Sequence, residues 1–251
     1  MKVDVVIPVY NEEARLTRCV PRLQEFLWRQ DRFECEVVIA NNGSTDQTQA
    51  VAEQLSRQYR NVRALWIPDK GRGGAVKQAW LASAADILSY MDVDLATDLA
   101  AFPALVEAVA ERGFDLAVGS RLLPDSRTRR GWRRELISRC YMRLVKVFFP
   151  VRFSDAQCGF KAITRQVARE LLPLVEDSGW FFDTELLLLA EHFGYQICDM
   201  PVVWTDHPDS RVRIASTAWA DVKGLLRVRR NLKRVRSDSG ARPAIVVRKV
   251  T

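Results

Sequence analysis

The chain has 251 residues, of which 48% are hydrophobic and 27% are charged. This length can bury a full core as one large domain or as one domain with an appendage. The sequence has no continuous apolar run of bilayer length, so we expect no membrane-spanning helix. The net charge of +7 indicates an anionic partner, but it does not distinguish nucleic acid, a membrane surface and a phosphorylated substrate.

The five cysteines are scattered along the chain without C-x-x-C spacing: Cys19, Cys35, Cys140, Cys158 and Cys198. This pattern opposes both a zinc site and a disulfide framework, so we expect reduced thiols. The amino terminus enters a strand-like run at Val3 and shows no signal-peptide pattern. Together these features predict a chain that stays in the cytoplasm.

Short β-branched runs alternate with helical patterns in the first part of the chain. Strands are predicted over residues 3–9, 36–40, 62–67 and 87–91. The first helix is expected to start with Asn11 as its N-cap and to kink or break at Pro21; the next runs to about Tyr59, and the third to Ala85. This alternation predicts βαβ units and a mostly parallel α/β sheet with helices on both faces.

Ligands of such sheets bind beyond the carboxyl ends of the strands, where three loops and a pair of carboxylates follow the predicted strands. Asp92 and Asp94 are one residue apart, so in an extended segment they point the same way. They suit a hard divalent cation that holds nucleotide phosphates; the alternative is two solvated aspartates, one of them capping the next helix. The loop at residues 69–74 either forms a tight turn or brings backbone amides and Lys70 close to a phosphate.

Four motifs occur in order: Val6-Ile7-Pro8-Val9-Tyr10-Asn11-Glu12, Asn42-Gly43-Ser44-Thr45-Asp46, Lys70-Gly71-Arg72-Gly73 and Asp92-Val93-Asp94. Together they resemble the inverting family 2 glycosyltransferases with a GT-A fold. The resemblance implies that a nucleotide sugar is bound by Pro8, Tyr10, Asn11, Glu12, Asn41, Asn42, Ser44, Lys70, Gly71, Gly73 and Asp92. It also implies that Asp92 and Asp94 hold a Mg or Mn ion on the diphosphate.

One departure from the family pattern concerns the loop that reads the base. Many relatives have aspartate where this chain has Asn41, and some also at Asn42. An amide can still hydrogen-bond a base edge, but it offers a donor as well as an acceptor. The identity of the base therefore stays open at this stage.

Apolar residues recur at helical spacing between Arg127 and Phe149, with arginines and a lysine at the other positions. We predict a basic amphipathic helix over residues 132–149, which either packs its apolar stripe on the sheet or lies on an anionic membrane face. The basic run from Arg227 to Arg234 is either an interfacial helix or a frayed end. We accordingly predict a catalytic domain over residues 1–213 and a basic helix and tail over 214–251.

The second half of the chain carries three further motifs, at residues 154–162, 180–187 and 201–204. They resemble the polyprenyl-phosphate sugar synthases, and Asp155-Ala156-Gln157-Cys158-Gly159-Phe160-Lys161 is closest to the dolichyl-phosphate beta-glucosyltransferase branch. The mannosyl branch usually has another residue at Cys158 and often a glutamine near Ala96 that assists the metal. The resemblance therefore favours UDP-glucose as donor and a lipid phosphate as acceptor.

This second resemblance implies a set of catalytic residues. Arg121 matches the arginine that binds the acceptor phosphate. Arg134 and Ser138, four residues apart and therefore on one helical face, match a second arginine and a serine. The sugar and acceptor site is expected to have Asp155, Gln157 and Lys161 as its floor.

An acceptor phosphate is anionic at neutral pH, so its attack on the anomeric carbon requires no dedicated general base. In relatives that glycosylate hydroxyls, an acid in the region of Asp183 and Glu185 acts as that base. We favour instead that Asp183 positions the acceptor or caps a helix over Leu186–Phe193. His192 and His207 are too isolated to indicate a metal site or a catalytic triad.

The sequence thus predicts a metal-dependent transferase of glucose from UDP-glucose to a polyprenyl phosphate, peripheral on the cytoplasmic, inner face of a membrane. The alternatives are GDP-mannose as donor, a soluble hydroxyl acceptor, or a nucleotide-sugar-binding or membrane-associated scaffold without turnover, which the two asparagines motivate. Nucleic-acid binding rests on charge alone and is not predicted. The sequence leaves open whether an integral-membrane partner accompanies the chain.

Overall fold

The computed structural model describes residues 1–206 and 214–238. Its strands are β1 (Lys2–Val9), β2 (Glu34–Asn42), β3 (Val62–Ile67), β4 (Ile87–Met91), β5 (Leu116–Ser120), β6 (Arg127–Arg129), β7 (Phe160–Thr164), β8 (Ile197–Pro201) and β9 (Val203–Thr205). Seven of these form one sheet in the order β3-β2-β1-β4-β7-β5-β8, and β6 pairs with β9 in a small separate sheet.

The large sheet is parallel except at β7, which runs antiparallel to both of its neighbours, β4 and β5. The prediction of a mostly parallel sheet is therefore confirmed. Because β7 is reversed, its first residue, Phe160, pairs with Met91 at the end of β4. The loops that follow β1, β2, β3, β4 and β5 thus meet the segment before β7 at one edge of the sheet.

The helices are α1 (Glu13–Trp28), α2 (Thr48–Gln58), α3 (Arg72–Leu81), α4 (Phe102–Ala110), α5 (Trp132–Phe148), α6 (Arg165–Leu171), α7 (Phe182–His192) and α8 (Ile214–Asp238). They cover both faces of the sheet, as expected. Val5 and Ile7 of β1 lie in an apolar cluster with α1, α2 and α4, whereas Val6 lies in a second cluster with α3 and α5 to α8. The alternation of side chains along a strand divides the core between these two layers.

Two predicted helix boundaries are wrong, and of the kink or break predicted at Pro21 the break does not occur. Asn11 does not cap α1: its φ is 53°, and α1 starts after Glu12 without a side-chain cap. Pro21 does not break α1, whose apolar stripe is buried on both sides of it, because tertiary packing outweighs the local disruption. Helix α3 ends at Leu81 rather than Ala85, where the Ser83 hydroxyl accepts the Ala85 N–H at 3.0 Å and so favours a turn.

Helix α8 packs into the core cluster that holds α5 and α7, since Leu225, Val228 and Leu232 are buried there. A Cβ at Gly224 would lie 2.5 Å from the ring of Phe181, so α8 approaches the start of α7 closely. The predicted domain boundary at residue 213, His207 and the tail beyond residue 238 lie outside the described residues. In the part of the chain that is described, no helix is long and apolar enough to cross a membrane.

Candidate active site

The loops after β1 and β2 are tied together by hydrogen bonds. The backbone N–H of Asn11 donates to the Ser44 hydroxyl at 2.9 Å, and the Asn11 side-chain carbonyl accepts the Thr45 N–H at 2.8 Å. The N–H of Glu12 donates to the Thr48 hydroxyl at 2.9 Å. The predicted nucleotide residues of these two loops therefore form one unit, and this use of its side chain explains why Asn11 does not cap α1.

Asn41 and Asn42 are both buried, and their amides are used within the protein. Asn41 donates to the side chain of Gln49 at 2.9 Å. Asn42 donates to the carbonyl of Val9 at 2.8 Å and accepts the N–H of Gly71 at 3.3 Å. An aspartate at residue 42 could not donate to Val9, so the asparagine has a local reason in the fold.

Tyr10 and Lys70 meet at the mouth formed by these loops, with the Lys70 ammonium 3.8 Å from the centre of the Tyr10 ring. This distance is that of a cation–π contact. Pro8 lies below them, buried in β1 opposite Ala40 of β2. The cation and the aromatic face thus stand at the edge of the sheet where the resemblance expects a nucleotide.

The glycine-rich loop is shaped by a close neighbour. A Cβ at Gly73 would lie 2.2 Å from the Cβ of Phe182, and one at Gly71 would lie 2.6 Å from the carbonyl oxygen of Ser178. The N–H of Gly74 donates to the same carbonyl at 2.9 Å. These glycines therefore allow residues 178–182 to close over the start of α3.

Asp92 and Asp94 lie in a tight turn and not in an extended segment. The N–H of Leu95 donates to the carbonyl of Asp92 at 3.0 Å, and Leu95 has a φ of 49°. The Asp94 carboxylate accepts the N–H of Ala96 at 3.1 Å. We predicted that both side chains point the same way because residues two apart on a strand share a face. That reason is wrong, since β4 ends at Met91 and neither aspartate lies on the strand.

Arg72 connects Asp92 to Asp183. Its Nε and Nη2 donate to Oδ1 of Asp92 at 3.1 and 2.7 Å, and its Nη1 donates to Oδ2 of Asp183 at 2.8 Å. The other oxygen of Asp183 accepts from the Tyr90 hydroxyl and lies 2.9 Å from the Lys161 ammonium. Burial opposes the ionised form, but Lys161 and Arg72 lower the pKa of Asp183 below its ordinary value.

Asp183 does not cap α7, and its surroundings disfavour a role as a general base. Helix α7 begins at Phe182, and its N-cap residue, Phe181, makes no side-chain cap. The Asp183 residue is 2% exposed, and both of its carboxylate oxygens have partners. A buried carboxylate with a lowered pKa is a weak base, so this arrangement favours a structural role for Asp183.

Lys161 lies beneath the site rather than on its surface. Its ammonium donates to the carbonyls of Ala156 at 3.3 Å and Cys158 at 2.6 Å, and the Asp183 carboxylate is its third neighbour. Three acceptors use all the donors of a lysine. Lys161 thus fixes the segment before β7, and a direct contact with substrate stays a prediction.

Arg121 and Asp155 form a bidentate ion pair where β5 ends. Nε and Nη2 of Arg121 donate to the two oxygens of Asp155 at 2.7 and 2.9 Å. Burial opposes the charge, but Asp155 and, to a smaller extent, Asp92 raise the pKa of Arg121, so Asp92 is within electrostatic reach. The Arg121 guanidinium also lies 5.6 Å from the ring of Trp204.

Gln157 links this loop to α8. Its amide donates to Oδ2 of Asp221 at 3.1 Å, and Oδ1 of Asp221 is buried without a hydrogen-bond partner among the described residues. Burial raises the pKa of Asp221 to about 6. The C-terminal helix therefore meets the predicted acceptor floor through a carboxylate that is poorly solvated.

Arg134 and Ser138 lie on the amino-terminal half of α5 and have separate partners. Arg134 is paired with Asp206, close after β9. The Ser138 hydroxyl accepts from Nη1 of Arg130 at 3.2 Å. Both are partly exposed, and among the described residues neither makes a hydrogen bond or ion pair with Arg121.

A small pocket lies between Asp92 and the ring of Trp204, beside Arg121; it is lined by Met91, Asp92, Leu95, Ala96, Thr97, Gly159 and Trp204. A Cβ at Gly159 would lie 2.0 Å from Oδ2 of Asp92, so glycine keeps this oxygen clear. Among the described residues no group of three or more ligating side chains occurs. Two carboxylates that leave most positions to water and phosphate fit Mg or Mn better than zinc.

A family comparison identifies this arrangement. Residues 4–172 match the model of Glycosyl transferase family 2, a stretch that holds most of β1, all of β2 to β7 and the loops that carry Asp92, Arg121 and Asp155. The chain belongs to glycosyl transferase family 2.

This family 2 glycosyltransferase is similar to several characterised relatives. It is 39% identical to glycosyltransferase AglD of Haloferax volcanii, over 84% of this chain but only 34% of that protein. It is 32% identical to dolichyl-phosphate beta-glucosyltransferase of Drosophila melanogaster, over 84% of this chain and 69% of that protein. The chain thus spans about a third of the first relative's length and about two thirds of the second's.

Solved structures of glycosyltransferases share its fold. Glucosyl-3-phosphoglycerate synthase from Mycobacterium tuberculosis, in complex with UDP, superimposes with a TM-score of 0.67 at 20% identity, over 92% of this chain and 79% of that one. Mannosyltransferase PcManGT from Pyrobaculum calidifontis, in complex with GDP-Man and Mn²⁺, gives 0.58 at 17% identity, over 96% and 65%. The predicted GT-A fold of this family 2 glycosyltransferase is confirmed.

Sequence reasoning missed four residues that shape the site. Arg72 was visible only as one letter of the glycine-rich motif, and Trp180 stacks on it with the ring centre 5.1 Å from the guanidinium. Trp204 and Gly159 line the pocket beside Asp92. The available signal was their position inside motifs, because the contacts themselves join residues far apart in the chain.

Proposed function

We propose that this family 2 glycosyltransferase moves glucose from UDP-glucose to a polyprenyl, dolichyl-type phosphate, with inversion, giving polyprenyl-phosphate glucose and UDP. Relatives named dolichyl-phosphate beta-glucosyltransferase support the choice of reaction: that of Drosophila melanogaster is 32% identical and that of Saccharomyces cerevisiae 30% identical. The chain covers 69% and 73% of their lengths.

The buried state of Asp183 is the observation that carries the choice of acceptor. This carboxylate is neutralised by Arg72 and Lys161 and hydrogen-bonded by Tyr90, so it is poorly suited to deprotonate a hydroxyl. A phosphate acceptor needs no such base, because its oxygens are already anionic. What it needs is a cation that positions it, which Arg121 supplies beside the pocket.

On the donor side, the joined loops after β1 and β2 would hold the nucleoside, and Lys70 would stand over its phosphates. Besides Lys70, the proposed nucleotide-sugar site comprises Pro8, Tyr10, Asn11, Glu12, Asn41, Asn42, Ser44, Gly71 and Gly73. A Mg or Mn ion held by Asp92 and Asp94 would stabilise the charge of the leaving diphosphate when bound. Arg72 adds a fixed positive charge next to these carboxylates.

On the acceptor side, Asp155 fixes the Arg121 guanidinium through Nε and Nη2, and Arg121 would bind the acceptor phosphate. Arg134 and Ser138 would extend the phosphate site from α5. Attack from the side opposite the leaving diphosphate inverts the anomeric carbon. Gln157 and Lys161 support this side by fixing the loop before β7.

We further propose that α5 and α8 rest on the inner face of an anionic membrane. Helix α5 exposes Trp132, Leu136 and Ile137, while only its Met142 and Val145 are buried. Basic side chains accompany the exposed rings, with Arg133 over Trp132 on α5 and Lys223 over Trp219 on α8. Apolar and basic groups on one helix are typical of an interfacial helix, and a lipid acceptor must be reached from such a surface.

The test of the reaction combines two donors with two acceptors. Calorimetric titration with UDP-glucose and GDP-mannose, each with and without Mn²⁺, is followed by transfer assays to polyprenyl phosphate and to the matched polyprenol. We expect metal-dependent binding of UDP-glucose and transfer to the phosphate only. Binding of GDP-mannose alone would show a mannosyl donor, transfer to polyprenol would contradict the acceptor argument, and binding of neither donor would favour a scaffold.

The membrane proposal is tested by sedimentation with vesicles that contain anionic lipid. The double variant Trp132→Ser, Leu136→Gln should lower the partition coefficient between vesicles and water at least about tenfold. The reason is that burial of a large apolar side chain contributes roughly 1.5–3 kcal/mol to the free energy of membrane binding. Trp28→Ser is the matched control, since Trp28 is 85% exposed but lies at the end of α1. Equal loss in both variants would contradict the assignment of α5 as the membrane face.

A further inference from the structure

Arg72 makes an ion pair with the carboxylate that is proposed to bind the metal. Two of its N–H groups, on Nε and Nη2, converge on the single oxygen Oδ1 of Asp92 at 3.1 and 2.7 Å. The fork of a guanidinium ordinarily matches two oxygens of a carboxylate or phosphate. Here both N–H groups donate to one oxygen of Asp92. A divalent ion bound to Asp92 would compete for that same oxygen.

The two partners of this ion pair differ in how firmly they are held. The Arg72 side chain is 13% exposed, whereas that of Asp92 is 40% exposed. The Arg72 guanidinium lies between the rings of Tyr90 and Trp180, 5.1 Å from each, and its Nη1 is fixed by buried Asp183. Arg72 therefore keeps its place when Asp92 exchanges its partner.

We infer that Arg72 is the resident counter-ion of Asp92, and that metal and diphosphate bind together by exchanging this pair. The metal takes the Asp92 carboxylate, and the diphosphate takes the two N–H groups that Arg72 releases. This inference rests on the proposed function, since it assumes a metal and a diphosphate donor. It adds a positioning residue that makes the binding of one ligand depend on the other.

The physical reason is charge balance. A divalent cation that binds alone competes with the Arg72 guanidinium for Asp92 and is repelled by the guanidinium charge. A diphosphate that binds alone is repelled by the Asp92 carboxylate. When both are present, each cation has an anionic partner. Coupling between two ligands is reciprocal, and typical couplings change each affinity roughly 5- to 150-fold.

The test measures four affinities for each protein: Mn²⁺ alone, UDP alone, Mn²⁺ with saturating UDP, and UDP with saturating Mn²⁺. Calorimetry gives all four, and the electron paramagnetic resonance signal of free Mn²⁺ measures the metal independently of any turnover. In the unmodified protein, UDP should raise Mn²⁺ affinity at least about fivefold, and Mn²⁺ should raise UDP affinity by the same factor. GDP replaces UDP in a parallel series.

Arg72→Gln removes the charge and keeps a hydrogen-bonding side chain. It should bind Mn²⁺ alone several-fold more tightly, bind UDP alone more weakly, and lose most of the coupling. The matched control is Arg63→Gln, because Arg63 also pairs with carboxylates, Asp4 and Glu36, but on the strands away from the pocket. The control should keep the coupling, which separates the exchange from the loss of one positive charge.

Arg72→Lys provides a second variant that keeps the charge but not the fork, and it should retain part of the coupling. Circular dichroism melts show which variants are folded. Unchanged coupling in a folded Arg72→Gln, or no gain in affinity for Mn²⁺ alone, would overturn the inference. Binding of GDP in place of UDP would overturn the proposal that UDP-glucose is the donor, but not the exchange of the Arg72–Asp92 pair. If neither nucleotide binds, the titrations with Mn²⁺ alone decide the role of Arg72.

Discussion

Asp183 connects the two positive charges that lie under the site, Arg72 and Lys161. In Asp183→Asn both cations remain buried while their shared anion is lost, and removal of one partner from a buried ion pair typically destabilises by about 3–5 kcal/mol. We expect a loss of this order in the free energy of unfolding, measured by urea denaturation. Glu53→Gln, which breaks the exposed pair with Arg57, should change it by less than about 1 kcal/mol.

A loss no larger than that of the control would contradict the view that Asp183 is a structural anion. The same variant also bears on the acceptor. If Asp183 were the catalytic base, its amide would abolish turnover even at temperatures where the variant stays folded. We expect the folded fraction of Asp183→Asn to retain measurable transfer to polyprenyl phosphate.

Asp94 separates a metal role from a structural one. Asp94→Asn keeps an acceptor for the Ala96 N–H, whereas Asp94→Ala removes it. Both should reduce transfer from UDP-glucose by roughly 100-fold or more, because even groups that only support a metal ligand contribute 10- to 100-fold. Initial rates at saturating Mn²⁺ measure this, with the exposed Asp125→Ala as control; full activity of Asp94→Asn would refute a metal role.

The sequence indicated which residue types meet at the site but not which side chains pair. The motifs correctly placed Asp92, Arg121 and Asp155 at one edge of the sheet. The contact between Arg72 and Asp183 spans 111 positions, and no local pattern records it. The end of β4 at Met91 was predicted, but the turn at Asp94 was missed because strand periodicity does not report the conformation of the residues that follow a strand.

The tightest contact in the closure of residues 178–182 over α3 is at Gly73. In Gly73→Ala the new Cβ would meet Phe182 at 2.2 Å, and both are backbone-proximal atoms that cannot move cheaply. We expect a loss of a few kcal/mol, as in overpacked cores, and weaker nucleotide binding. Gly179→Ala at the same junction has its nearest contact at 3.4 Å, so it should change stability and binding little.

Denaturation and UDP titration of the two variants measure this difference. Similar stability of Gly73→Ala and Gly179→Ala would show that the junction is more adaptable than the close contact indicates. The glycine-rich loop was expected to be either a tight turn or a phosphate cradle. Its packing against Ser178 and Phe182 is a third use, which the sequence could not indicate because the partner lies about a hundred residues away.

Helix α5 shows how far an amphipathic pattern can be interpreted. The spacing predicted a helix over residues 132–149, and the structure has one at Trp132–Phe148. The pattern left open whether the apolar stripe faces the sheet or a membrane. Met142 and Val145 are buried in the core, whereas Trp132 and Leu136 are exposed. The second half of the stripe therefore packs on the protein, and the membrane contact of the first half stays a proposal.

The stability of the whole molecule should depend on pH through Asp221 of α8, which is 4% exposed and accepts a hydrogen bond from Gln157. Burial raises its pKa from an ordinary 3.8 to about 6. The folded state therefore holds a proton that the unfolded state has released, so the stability from this group is present at low pH and is lost as pH rises through about 6.

Asp221→Asn keeps an acceptor for Gln157 without the charge. It should unfold at a higher temperature than the unmodified protein at about pH 8, by a few degrees, and the difference should vanish near pH 4. Scanning calorimetry across this range measures it, with the exposed Asp31→Asn as control. A difference that grows toward low pH would show the opposite sign and contradict the raised pKa.

The architecture of the whole molecule was largely predictable, apart from one reversal. Alternating strand and helix patterns gave the parallel sheet and its two covered faces, and these alone imply a site at the carboxyl ends. The antiparallel direction of β7 was not predicted, because strand direction depends on long-range pairing. That reversal brings Asp155 and Gln157 to the same edge as Asp92, and so completes the site.

The distribution of the thiols makes this protein convenient for depth measurements without mutagenesis. All five cysteines lie within the described residues, and Cys140 is the exposed one, four residues after Leu136 on the outer side of α5. Burial raises the pKa of Cys35 to about 11 and that of Cys19 and Cys158 to about 12, which suppresses their reactive thiolates. A maleimide spin label should therefore attach to α5, where its accessibility to lipid-soluble and water-soluble quenchers would report how deeply the helix sits in a bilayer.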